Sequence, residues 1–108
     1  QGKIFVKDVA QKTDAYQLSK ALILDDKSEF NAKPELEIYA DDVKCSHGST
    51  SGSIDADAIH YLMTRGIKLT EAKKLLITGF LNEVFDNIPE QKMKTFLEKT
   101  IKEQINGV

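Results

Sequence analysis

The chain has 108 residues, 41% of them hydrophobic, 30% charged and 7% aromatic, with 17 acidic against 15 basic side chains and a net charge of −2. A chain of this length buries a core of its own as one domain, which excludes a disordered tail, and its mild acidity gives no overall pull toward nucleic acid or an anionic membrane. No apolar run approaches the roughly 20 residues needed to span a bilayer, and the opening Gln1-Gly2-Lys3-Ile4-Phe5-Val6 lacks a signal-peptide profile.

Residues 3 to 45 have a strand-like period. Ile4-Phe5-Val6, Leu18 with Ala21-Leu22-Ile23-Leu24, Glu35-Leu36-Glu37-Ile38-Tyr39-Ala40, and Val43 with Cys45 are short β-rich pieces separated by polar turn clusters such as Asp25-Asp26-Lys27-Ser28. Their hydrophobic centres recur about every 16 to 18 residues with no helix between them, a pitch that suits successive rungs of a parallel β-solenoid and equally an antiparallel meander. The chain opens inside a strand with neither a cap nor an initiator Met, so it reads as part of a longer body. Strands with open edges also make self-association through residues 3 to 45 an expectation.

Ser46-His47-Gly48-Ser49-Thr50-Ser51-Gly52-Ser53 follows, too polar and small to build a core, and reads as a surface loop or an exposed strand continuation. From residue 53 the period is helical, which divides the chain into residues 1–52 and 53–108. Asp55 is a candidate N-cap for a first helix with Ile59, Leu62 and Met63 on one face, stopped by Gly66. A second helix starts at Thr70, with Glu71 in its positive first turn and Ala72, Leu75, Leu76, Phe80, Leu81 and Val84 as an apolar stripe ending near Asp86. Pro89 suits the first turn of a third helix, whose inner face is Met93, Phe96, Leu97, Thr100, Ile101 and Ile105, with Asn106-Gly107 as its stop.

Three features could carry chemistry. Cys45 and His47 lie two residues apart, so in a strand they face one way and offer a thiolate and an imidazole. Two ligands are too few for a zinc site or a one-chain iron-sulfur cluster, so a metal there requires ligands from a partner; a thiol enzyme using the same pair has no third orienting group. Cys45 is the only cysteine, which excludes an internal disulfide and fits a reducing compartment, the cytoplasm by default. His60 is a solvated helix histidine, and Gly48-Ser49-Thr50-Ser51-Gly52 lacks the Lys of a phosphate loop. Helices one and two, joined by Gly66-Ile67-Lys68-Leu69, have the loose outline of a helix-turn-helix, but the second helix offers no Arg to base edges and carries Glu71, Glu83 and Asp86, so an αα-hairpin is the better account and a nucleic-acid-binding module the alternative. The apolar arc of the second helix is wider than one seam needs, which means thorough burial or a stripe kept for a partner.

Pro34 to Thr50, followed by Tyr61-Leu62-Met63-Thr64-Arg65-Gly66-Ile67 and Ala72 to Phe80, closely resembles the C-terminal region of the SufB/SufD family of iron-sulfur cluster assembly proteins. The resemblance runs from about residue 16 to 86 and favours the SufD branch, because Gly48 follows His47 where the SufB branch has Glu. It implies a β+α fold: the last rungs of a right-handed parallel β-helix (1–52), then a three-helix C-terminal domain (53–108). It implies a non-enzymatic scaffold in the cytoplasm, pairing with SufB and docking the ATPase SufC through its helical domain, with no nucleic-acid or membrane partner. His47 matches the family histidine implicated in cluster assembly at the SufB interface, and Cys45 its neighbouring cysteine, with SufB thiolate completing a transient cluster that this piece does not hold stably. Docking to SufC falls, by region, on Arg65, Gly66, Ile67, Glu71, Ala72 and Leu75.

Overall fold

The computed structural model describes residues 1–107 and divides the chain into two compact units, Gln1–Ser53 and Ile54–Val108. The first holds four strands, β1 (Gly2–Val6), β2 (Asp14–Ile23), β3 (Pro34–Ile38) and β4 (Lys44–Ser53); the second holds three helices, α1 (Ala56–Thr64), α2 (Leu69–Phe85) and α3 (Gln91–Asn106). The protein is therefore mixed β and α, with strands and helices segregated along the chain.

Among the described residues all the strand pairing is parallel. β1 pairs with β3, Gly2 opposite Pro34 and Val6 opposite Ile38, and β2 pairs with β4, Asp14 opposite Lys44 and Ile23 opposite Ser53. Each strand thus skips its sequence neighbour and pairs with the next but one, so the pairing interval is about 30 residues, twice the hydrophobic pitch. This corrects the expectation that consecutive strands stack on consecutive rungs, and the parallel direction removes the antiparallel meander. A parallel pair needs a long connection, and an intervening strand supplies it as well as a helix does.

The turns stack as the strands do. Lys12 sits in the left-handed region at φ 64°, its N–H donates to the Asp42 carbonyl at 2.5 Å, the Gln11 side-chain oxygen accepts from the Asp42 N–H at 2.9 Å, and the Lys44 N–H donates to the Thr13 carbonyl at 2.9 Å. On β1 and β3 the Lys3 ammonium pairs with the Glu37 carboxylate, the Tyr39 hydroxyl donates to Glu37 at 2.6 Å, and the Phe5 and Tyr39 rings meet edge to face at 5.8 Å. The tightly packed apolar residues of this unit are Val6 and Ala40.

Local chemistry sets the helices. The Asp55 carboxylate accepts from the N–H groups of Asp57 (2.9 Å) and Ala58 (3.3 Å) and starts α1. Its end is a Schellman turn: Gly66, at φ +90°, donates to the Met63 carbonyl at 3.0 Å and Ile67 to Leu62 at 3.2 Å. The Glu90 side chain caps α3, accepting from Lys92 and Met93, so Pro89 precedes the cap instead of opening the first turn, and Gly107 ends the helix with right-handed geometry at φ −85°. The Lys94 ammonium reaches Asp86 at 3.1 Å, tying α3 to the end of α2. Ala72, Phe85 and Ile105 are the buried residues of this unit. Leu75, Val84, Met93 and Phe96, expected on inner faces, are between 52% and 63% exposed, and Met63 also faces out. In α3, Leu97, Ile101 and Ile105 recur at i, i+4 and i+8 and take the inner face, which turns Phe96, about 100° round the helix from Leu97, aside; Met93 begins the same row in the first turn, where the helix's inner face is not yet covered. No described helix is long and apolar enough to cross a membrane.

Candidate functional site

β4 is built from Ser, Thr and Gly, residues that alone make a poor strand, and forms because β2 offers Tyr16, Leu18 and the run Ala21 to Ile23 as a template along its whole length. The small polar stretch after Cys45 is thus an exposed strand continuation, one of the two forms its composition allowed. Alternation puts Cys45 and His47 on one face of this strand. Cys45 is a half-buried free thiol and His47 is exposed. The outer edge of β4 has no strand partner among the described residues.

The parallel register decides their neighbours: Ala15 lies beside Cys45, Gln17 beside His47 and Leu18 beside Gly48. At Gly48 a Cβ would lie 2.6 Å from the Tyr16 hydroxyl, the far end of an exposed side chain that leans over the glycine on the face opposite to His47. Gln17 and Tyr16 are the residues that sequence reasoning missed; only the pairing interval brings them to the site, and no local spacing encodes it. Among the described residues no three His, Cys, Asp or Glu side chains converge to hold a metal ion, so Cys45 and His47 offer two donors on one strand and an open edge beside them.

In the helical unit the Schellman turn displays Arg65, whose guanidinium lies over the Tyr61 ring at 5.1 Å, while Gly66 supplies the left-handed backbone and Ile67 is half-buried. Glu71 is exposed and lies 3.8 Å from the Lys74 ammonium. Ala72 has no exposed surface, so it supports the turn from inside. Leu75 is 52% exposed and shares the polar face of α2 with Glu71, Thr78 and Asn82 at i−4, i+3 and i+7. An apolar side chain so placed leaves about half of its surface uncovered by the unit's own packing.

Residues 1–80 match the family described as SUF system FeS cluster assembly, SufBD core domain. An iron-sulfur cluster assembly SufBD family protein of Synechocystis sp. is 43% identical over 100 residues, covering 93% of this chain and 22% of that protein. The iron-sulfur cluster assembly protein SufD of Escherichia coli is 39% identical over 106 residues (98% of this chain, 25% of the relative), and SufD of Bacillus subtilis 38% over 96 residues (89% and 22%). The chain spans a quarter or less of the length of these relatives. With the family match running through all four strands, α1 and most of α2, this chain belongs to the SufB/SufD family of iron-sulfur cluster assembly proteins.

Proposed function

We propose that this chain is the C-terminal part of a SufD-like scaffold that catalyses no reaction itself, docks the ATPase SufC through its helical unit, and brings His47, with Cys45 beside it, to a cluster-assembly surface shared with SufB in the cytoplasm. The observation that carries this reading is the placement of His47: exposed, two residues from a thiol, on a strand whose outer edge is unpaired among the described residues. Two donors on one chain fit a cluster completed by thiolate from a partner, with iron and sulfur as cargo and no resident cofactor on this piece.

The β unit reads as a slice of a right-handed parallel β-helix with two strands per rung. Parallel interval pairing, stacked turns and the exposed Phe5, Leu18 and Leu36 support this, because two-stranded parallel sheets are marginal alone and gain stability from further rungs. Leu75 on a polar face beside the Arg65–Ile67 turn supports SufC docking there. ATP-driven dimerisation of SufC would pull on the helical units and open the surface where His47 stands.

The deciding experiment is His47→Ala in the full-length protein with SufB and SufC. Assembly of cluster on the complex should fall while the complex stays intact; unchanged assembly refutes the role. Capture of SufC by the same protein, with and without changes at Arg65 and Leu75, tests the docking half independently.

A further inference from the structure

Gln17 is the in-register neighbour of His47, on the same face of a parallel pair whose strands lie about 4.8 Å apart. A Cβ built on Gly2 would lie 2.1 Å from the Gln17 amide nitrogen, 2.7 Å from its carboxamide carbon and 3.1 Å from its oxygen, so the carboxamide occupies the space that a side chain at Gly2 would fill. Gly2 is therefore the seat of the Gln17 head group, and the residue is half-buried in a strand whose partner carries His47. On the other side of His47, past the β4 edge, no strand of this chain is paired among the described residues.

We infer that Gln17 is a positioning residue for His47: lodged in the space that Gly2 leaves, its side chain walls off the β2 side and leaves the imidazole only the outward direction, toward the open edge of β4. The inference rests on the proposed role of His47 but names a different residue and a different cause. The wall works by volume, so shape and not hydrogen bonding is what matters. Losing it lets the ring fold back over β2, and planting a methyl group on Gly2 pushes the carboxamide off its seat, a move that costs little because only the far end of a flexible side chain must shift.

The test is the rate of diethylpyrocarbonate modification of His47 in the full-length protein, read by mass spectrometry and divided by the rate at His60, an exposed histidine on α1 that serves as internal reference. Gln17→Ala should lower this ratio about threefold or more, Gly2→Ala should change it in the same direction as Gln17→Ala by a smaller factor, and Gln17→Met, which keeps the length without the amide, should leave it within about 1.5-fold of the parent. A ratio unchanged or raised in Gln17→Ala overturns the inference, as does a loss in Gln17→Met equal to that in Gln17→Ala. Because the readout is the imidazole itself, these results stand apart from whether His47→Ala impairs cluster assembly.

Discussion

The Lys12 N–H donates to the Asp42 carbonyl at 2.5 Å while Lys12 itself holds a left-handed backbone at φ 64°. Two turns distant in sequence are joined at this point, and the residue that joins them is not the type that adopts the conformation easily. A left-handed non-glycine residue costs roughly 1–2 kcal/mol, and glycine returns part of that as unfolded-chain entropy. Lys12→Gly should therefore stabilise the β unit by about 0.5–1 kcal/mol, and Lys12→Val should destabilise it by about 1 kcal/mol or more. Hydrogen exchange at the Lys12 and Lys44 amides, both donors between the stacked turns, reads the change directly.

At the two ends of α1 the predictions are separable. Asp55→Ala removes the acceptor for two first-turn N–H groups and should cost the helical unit about 1 kcal/mol. Gly66→Ala meets nothing within 4 Å, so its cost is backbone strain alone, about 1 kcal/mol, with no repacking of neighbours. Denaturation midpoints of the single and double variants should add, since the two positions share no partner.

The helix ends were legible because they are local: Asp55 before an apolar period, and Gly66 after it, specify a start and a stop within a few residues. Strand pairing was not, because nothing in Ile4 to Ala40 distinguishes a neighbour from a next-but-one neighbour; the choice is made by Lys12, Gln11 and Asp42 closing their turns on each other across some 30 residues. Cys45 and His47 were legible as a strand pair, but Gln17 and Tyr16 beside them depend on that same register. The exposure of Phe96 was hidden for a related reason: a wide apolar arc allows several rotations of a helix, and only packing selects one.

Acid should weaken the β unit through Glu37. The Lys3 ammonium first, and the Tyr39 hydroxyl second, hold its carboxyl below the ordinary glutamate value. A carboxyl depressed in the folded state contributes stability that is complete above its unfolded value, about 4.3, and is lost as pH falls through the lower folded one. Glu37 in turn holds the Lys3 ammonium and the Tyr39 phenol above their usual values, so their contribution is complete below about pH 10 and is lost as pH rises beyond it. In denaturation titrations Glu37→Gln should lie below the parent at neutral pH and converge with it in acid; curves that stay parallel down to pH 2 would remove Glu37 as the cause. Asp25, lowered by the Ser28 hydroxyl and the Lys27 N–H, titrates in the same window in both proteins and cancels in the comparison.

Leu75 provides the sharpest contrast between folding and docking. It is half exposed on the polar face of α2, whereas Ala72, one turn earlier, has no exposed surface. Leu75→Asp removes a side chain that is already half exposed and should lower the melting temperature of the helical unit by only a few degrees, yet an apolar anchor lost from the centre of an interface costs about 2 kcal/mol or more, roughly 30-fold in affinity. Ala72→Leu overfills a packed position and should do the reverse, destabilising the unit by about 1–3 kcal/mol. Measured against SufC with the full-length protein at a temperature well below both melting transitions, weakened capture by Leu75→Asp assigns the outward leucine to the partner. Equal capture by parent and Leu75→Asp would place SufC elsewhere on the helices and leave Leu75 without a docking role.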